Sequence, residues 1–340
     1  MKKVLIILGS IVGAIVVLLV AFSSWMYFDT AGEYSVPLTV ADDPSIPHIQ
    51  IGSTIFHAET FGSDTNEVVI IIHGGPGNDY RYLLPLKPLS EQYFLIYYDQ
   101  RGTGLSPRVE KSEHSLEISI NDLHDVINYY APGRKVNLIG HSWGAMLTSG
   151  YIARHPERVN KAVLAEPGML TSEQGRIYIE NFKIEPEWSA TMAMIRIAFE
   201  SLHLSNTDPQ ARGDYIFGKI PLLDFDGNPM IRYFCNEDPG TASMDFWRLS
   251  AVASMTIQGS AVNEAGDVEI DLVSGVEDFT DKVLFMVSEC NQIIGEAFQK
   301  GHIKHFPNAE MVIIENAGHT MFGEQADTSM AVIRNYFEEE

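Results

Sequence analysis

The sequence predicts an α/β fold: a mostly parallel β-sheet flanked by helices, interrupted by a helical insertion and preceded by an apolar helix. Three observations carry this. Short unbroken apolar runs, Val68–His73 and Phe94–Tyr98 among them, have the β-branched and aromatic content of strands buried on both faces. Helix-like segments separate the runs, such as Leu116–Tyr130 with apolar residues near i, i+3 and i+4 spacing, so right-handed crossovers are expected. Finally, Gly140-His141-Ser142-Trp143-Gly144 joins the strand-like Lys135–Ile139 to the helix-like Ala145–His155, which is the strand-turn-helix setting of a nucleophile elbow.

Taken in chain order, Lys2 and Lys3 precede an apolar run from Val4 to Phe22, followed by Trp25, Tyr27 and Phe28. The run is long enough to span a bilayer, and the aromatics suit an interfacial belt. Residues 1–28 therefore read as an uncleaved membrane anchor; a cleaved signal peptide is the rival, because Ala21-Phe22-Ser23 offers a small-x-small site. In both cases the lysines stay cytoplasmic and the body lies beyond the membrane, periplasmic or extracellular, as a secreted protein if cleaved. Residues 29–47 are polar and proline-containing, and read as a tether. His48–Phe61 supplies the first strands, with Gly52-Ser53 as a hairpin turn. Lys161–Leu164, Val283–Val287 and Met311–Ile314 complete the strand set, giving a core over 48–169 and 276–340. Residues 170–275 break the alternation: Trp188, Met192, Met194, Phe199, Phe246 and Trp247 lie among acidic residues with no strong strand run. They read as a mostly helical insertion, a cap over a site or an ordinary small-domain core.

Net charge is −22 from 45 acidic and 23 basic residues in 340, which argues against nucleic-acid binding and suits a solvated acidic surface or a cationic ligand. The two cysteines, Cys235 and Cys290, form no disulfide framework; one bridge or two unrelated thiols are both open. No Cys/His cluster has zinc spacing, and no phosphate- or dinucleotide-binding glycine motif follows a strand, so the chain reads as cofactor-free. Nothing in the sequence bears on oligomeric state.

The glycines of the elbow let the turn approach neighbouring backbone where a Cβ would clash. The backbone N–H of Trp143, at a new helix N-terminus, would point at an oxyanion forming beside Ser142. His73-Gly74-Gly75-Pro76-Gly77 leaves its strand at the carboxyl end of the sheet, which makes the Gly75 N–H the candidate for the second oxyanion donor, with a phosphate-binding or purely structural turn as the rival. Asp99-Gln100-Arg101-Gly102-Thr103-Gly104 leaves the next strand and reads as architectural, with Asp99 and Arg101 in a salt-bridged turn that supports the glycine loop.

HGGPG, DQRGTGLS and GHSWG, in this order and spacing, resemble the α/β-hydrolase superfamily and specifically its prolyl aminopeptidase branch, over roughly residues 48–340. The resemblance implies an eight-stranded, mostly parallel sheet, a helical cap after the sixth strand, and a Ser–His–acid triad. It also implies release of an N-terminal residue, often proline, from a small peptide or related acyl substrate, with cap carboxylates holding the free amine. Ser142 would be the nucleophile. His319, in Ala317-Gly318-His319 after the last strand, would be the base, and His141 and His73 would be structural.

The acid departs from the family pattern, since Asn291 stands after the seventh strand where an aspartate ordinarily stands. An amide cannot stabilise an imidazolium as a carboxylate does. Three readings stay open. Glu166 ends the sixth strand in Leu164-Ala165-Glu166-Pro167 and ranks first, because some relatives in the superfamily carry their acid there. Glu289 lies two residues before Asn291 but would point to the other strand face. Asn291 could itself orient His319 in a slow or inactive protein. For the amine anchor the candidates are Glu180, Glu187, Glu200, Asp214 and Glu237. The functional expectation is a membrane-anchored serine hydrolase of aminopeptidase type; the alternatives are an esterase or amidase on the same fold, or a non-catalytic binding protein derived from a hydrolase.

Overall fold

Strands form where the apolar runs are. In the computed structural model, which describes residues 2–182, 187–206, 208–223, 225, 228–237 and 245–339, they are β1 (His48–Ile51), β2 (Thr54–Phe61), β3 (Val68–Ile72), β4 (Phe94–Tyr98), β5 (Val136–His141), β6 (Val159–Ala165), β7 (Val283–Ser288) and β8 (Ala309–Ile314). They make one sheet in the order β1-β2-β4-β3-β5-β6-β7-β8. The β1/β2 hairpin turns at Gly52, whose φ of 59° is a left-handed value that glycine adopts without strain. β2 joins β4 antiparallel, and from β4 to β8 every pairing is parallel.

Alternate residues of the central strands enter two separate cores. Val68, Ile70 and Ile72 of β3 pack with Ile96 and Tyr98 of β4 on one face, while Val69, Ile71, Leu95 and Tyr97 pack on the other. This explains why the runs are apolar throughout rather than alternating. The helices, in chain order, are α1 (Lys2–Asp29), α2 (Leu116–Tyr130), α3 (Trp143–Ile152), α4 (Ser172–Asn181), α5 (Trp188–Glu200), α6 (Ala211–Lys219), α7 (Ala251–Ser260), α8 (Glu296–Ile303), α9 (Met321–Glu324) and α10 (Ala326–Glu338). α2 lays Ile120, Leu123, Val126 and Ile127 on the first core. Its start is fixed by Ser115, whose hydroxyl accepts the Ile118 N–H at 3.1 Å, a cap worth about 1 kcal/mol. α9 and α10 cover the second core with Met321, Phe322, Ile333 and Tyr336.

Between β6 and β7 the chain inserts α4 to α7, with short 3₁₀ turns between them. Cys235 in this insertion is disulfide-bonded to Cys290 in the loop after β7, which decides between the two readings of the cysteine pair. α1 is apolar, with a mean hydropathy of 3.1 over its best window and none of that window buried. By length and composition it can cross a membrane, and a signal sequence would meet the same description.

The stretch expected to be a tether is stitched to the body. Asn206 uses both ends of its side-chain amide on Val36, accepting its N–H at 2.8 Å and donating to its carbonyl at 2.9 Å. Ser205 donates its N–H to the Tyr34 carbonyl, Arg248 donates to Pro37 O, and Val40 donates to Leu105 O. A polar backbone lying across a folded surface must find partners there, and these residues supply them.

Candidate active site

The elbow forms because two glycines permit it. A Cβ on Gly144 would lie 2.0 Å from the Ile72 carbonyl oxygen, and one on Gly140 would lie 2.4 Å from the Gly144 oxygen. Ser142, between β5 and α3, takes φ 55° and ψ −117°, a sparsely populated conformation held by the packing around it. Trp143 opens α3, where first-turn N–H groups have no intrahelical acceptor. The glycine loop lies against the elbow: a Cβ on Gly74 would sit 3.0 Å from Ser142 Cβ. Gly74, Gly75, Ser142, Trp143 and His319 all line one cavity.

Glu166 follows β6 with φ 43° and is fully buried. Its Oε2 accepts from His319 Nδ1 at 2.7 Å and from Asn291 Nδ2 at 2.8 Å. Its Oε1 accepts the Ser288 N–H at 2.9 Å and the Ser288 hydroxyl. The Ser288 N–H and Asn291 Nδ2 can only donate, so both oxygens of Glu166 act as acceptors here. Asn291 therefore meets Glu166 rather than His319, and its Oδ1 is filled by the N–H groups of Ile293 and Ile294 at 2.9 and 3.0 Å. Glu289 is brought elsewhere: it is exposed, and its carboxylate accepts the Asn316 N–H, as its position on the opposite strand face requires.

His141 lies beneath the site in a chain of one-way hydrogen bonds. Burial, with the neighbouring His319 as a second cause, holds its pKa well below the ordinary imidazole value, so it is neutral and carries one N–H. Its Nε2 faces the His319 carbonyl at 2.7 Å and must donate. Its Nδ1 then accepts from the Tyr82 hydroxyl at 2.7 Å, and that hydroxyl accepts the Gly74 N–H at 2.8 Å. Gly-rich loop, elbow and histidine loop are thereby tied together. No motif marks Tyr82 in the sequence, since it lies in a Pro-containing 3₁₀ stretch, Arg81–Glu91, with no chemical signature. His73 is also buried, and burial lowers its pKa. It donates from Nδ1 to Gly74 O at 2.9 Å and accepts the Gln100 N–H on Nε2 at 3.1 Å.

The Asp99–Arg101 turn differs from expectation. Arg101 grips Asp122 with two bonds of 2.8 and 2.6 Å, whereas Asp99 accepts the Tyr80 and Leu105 N–H groups and pairs with His57 at 2.6 Å. The support for the glycine loop comes instead from Gln100, which donates to the His73 carbonyl and accepts from the Trp143 indole.

The cavity measures 460 Å³ and runs from Ser142 under the insertion, past Met146, Phe182, Phe217, Tyr233, Leu249 and Ile257. None of the described amine-anchor candidates lines it. Glu180 is exposed, Glu187 precedes α5 and takes the Thr191 hydroxyl on its carbonyl, and Glu200 accepts the Tyr215 hydroxyl and pairs with Arg196. Asp214 is buried between Arg108 and Arg248, each 2.8 Å away, so its charge is already neutralised. The Glu237 side chain lies outside the described residues. Among the described lining residues Glu269 is the one carboxylate, and it is exposed and bonded by Asn263.

Comparison with known proteins gives this geometry a setting. Residues 67–326 match the α/β hydrolase fold family. A proline iminopeptidase of Heyndrickxia coagulans is 32% identical over 278 residues, 79% of this chain and 89% of that protein. A cis-3-alkyl-4-alkyloxetan-2-one decarboxylase of Shewanella oneidensis is 31% identical over 104 residues, so the match spans only 30% of this chain and 33% of the relative. Among solved structures, a proline iminopeptidase-related protein of Thermus thermophilus superposes with a TM-score of 0.61 at 15% identity, covering 86% of this chain and 96% of that one.

Proposed function

Because this chain belongs to the α/β-hydrolase fold family, in its prolyl aminopeptidase-like branch, we propose that it is a serine hydrolase whose acyl-enzyme forms on Ser142. His319 Nε2 takes the Ser142 proton as Oγ bonds to the carbonyl carbon of an ester or amide. The carbonyl oxygen becomes an oxyanion held by the Trp143 and Gly75 N–H groups. Collapse expels the alcohol or amine, which receives that proton from His319; water then attacks the acyl-enzyme by the same route and frees Ser142. Glu166 keeps the proton on Nδ1 and stabilises the imidazolium. The observation that carries the reading is the 2.7 Å contact of His319 Nδ1 with a buried carboxylate surrounded by donors.

The apolar cavity and the lack of a lining carboxylate other than exposed Glu269 among the described residues favour an uncharged, apolar acyl group. A second reading, removal of an N-terminal proline-like residue, is favoured by the 32% identity to a proline iminopeptidase. On both readings residues 170–275 act as the cap. α1 serves as an uncleaved anchor with the catalytic body outside the cytoplasm, favoured by Lys2 and Lys3 before the apolar run and by the disulfide, which persists in oxidising compartments.

The test is Ser142→Ala against p-nitrophenyl butyrate and proline p-nitroanilide. Hydrolysis of whichever substrate the wild type accepts should vanish, and retained turnover sinks the mechanism. Blocking the free amine of the proline anilide separates the two substrate readings: an unchanged rate removes the aminopeptidase.

A further inference from the structure

The membrane helix is not independent of the insertion that covers the cavity. Where α1 ends, Met26 and Thr30 are buried, Asp29 pairs with Arg196 of α5 at 2.6 Å, and the Tyr27 carbonyl bonds to His203 Nε2 at 2.9 Å with the two rings 4.4 Å apart. His203 belongs to the short turn Ser201–His203 that follows α5, and α6 packs against both. The docking residues are the same ones that would sit at headgroup depth, since the aromatic belt Trp25, Tyr27 and Phe28 ends there. The elements that make these contacts also carry exposed apolar side chains: Met194 of α5 is 41% exposed, Leu202 of the following turn 42% and Phe28 at the end of α1 75%. Ile220, just after α6, is 37% exposed and also lines the cavity, so the cavity reaches the surface on an element packed next to this edge.

We infer that the α5 edge of the insertion, with Met194 and Leu202, rests on the bilayer from which α1 emerges, and that the cavity draws apolar acyl substrates from that bilayer. The occupant is lipid because the anchor itself sets this edge of the insertion at headgroup depth, through Asp29 on Arg196 of α5 and Tyr27 on His203. A globular edge that presents aliphatic and aromatic side chains at this depth gains by burying them among acyl chains. The substrate half of the inference rests on the Ser142 hydrolase reading, whereas the contact half does not.

The experiment uses the full chain in phosphatidylcholine vesicles. Both natural cysteines are paired, so Leu202→Cys offers one thiol for an environment-sensitive fluorophore. Its emission should rise severalfold on reconstitution and be quenched by spin-labelled lipid; a water-like emission quenched by iodide overturns the contact. Leu202→Asp should lower hydrolysis of a vesicle-embedded p-nitrophenyl palmitate about tenfold by moving a charge against lipid, with soluble p-nitrophenyl butyrate unchanged. Equal losses on both esters, or no loss on either, overturn substrate delivery from the bilayer. A wild-type chain that hydrolyses neither ester yet keeps the lipid quenching overturns the Ser142 reading and supports the contact.

Discussion

Glu166→Gln is the sharpest perturbation of the proposed triad, because the environment of the carboxylate leaves an amide no comfortable orientation. With its NH₂ turned toward Ser288, it faces the Ser288 N–H, a donor at 2.9 Å that cannot become an acceptor. With its NH₂ turned the other way, it faces Asn291 Nδ2 and His319 Nδ1, both of which donate to Glu166. The cheapest escape is for His319 to shift its proton to Nε2, so that Nδ1 accepts from the new amide. That tautomer cannot take the Ser142 proton. An equivalent tautomer error in a serine protease costs about 10⁴ in kcat, or about 5 kcal/mol of barrier. The assay is kcat on p-nitrophenyl butyrate, corrected for active fraction by burst titration, with a thermal melt to show that the fold survives. Turnover within tenfold of wild type would refute the assignment of Glu166. Adding Asn291→Asp to Glu166→Gln pairs a carboxylate with an amide again and should recover part of the loss; no recovery would mean that the two positions do not exchange roles.

Four further outcomes follow from particular contacts. Asn291→Asp alone sets two carboxylates about 2.8 Å apart, and like charges at that distance raise the pair's folded pKa above its unfolded value; the variant's melting temperature should fall further below wild type at pH 8 than at pH 5. Tyr82→Phe strips the partner from the Gly74 N–H and from His141 Nδ1, which should cost about 1–3 kcal/mol of stability and lower kcat more than it changes KM; a variant with wild-type kcat would confine Tyr82 to packing. Replacing Cys235 and Cys290 together by serine opens a 55-residue separation and should cost about 4 kcal/mol in denaturant unfolding, with reductant reproducing the effect on the wild type. Burial lowers the His302 pKa from 6.5 to about 4, so its contribution of about 3 kcal/mol is complete above pH 6.5 and is lost as pH falls toward 4; His302→Gln should flatten the pH dependence of melting in that window, and an unchanged slope would refute it.

The parallel strands were legible because burial on both faces leaves no choice of composition: Val68–Ile72 is apolar at every position, since each residue enters one of two cores. The elbow was legible because Gly140 and Gly144 answer a steric demand local to the turn. Residues 29–47 misled for the opposite reason. Their polar, proline-containing sequence is what a slack linker and a surface-pinned strap share, and the partners that distinguish them, Asn206 and Arg248, are about 170 and 210 positions away. The same separation of cause hides Tyr82 and the true partners of Asp99 and Arg101. Asp214 stood among the amine-anchor candidates because acidic type is visible in a sequence and neutralisation is not: it is consumed by Arg108 and Arg248, which lie on different elements.

The proposed placement of the acid after β6 rather than β7 has a geometric basis. β6 and β7 are adjacent parallel strands with Ala165 opposite Met286, so their carboxyl ends open side by side, and neighbouring strands lie about 4.8 Å apart. A carboxylate one residue beyond β6 and a side chain three residues beyond β7 can therefore converge on the same ring nitrogen without any shift of the histidine loop. Once the carboxylate comes from β6, an aspartate at the β7 position would place a second buried negative charge against it, which costs more than it contributes. An asparagine there has the same shape, satisfies the Ile293 and Ile294 N–H groups with its oxygen, and turns its other arm into a donor for Glu166. The amide at position 291 is thus the residue type that a β6 acid calls for, and its presence argues for a carboxylate one strand away rather than for a histidine left without one.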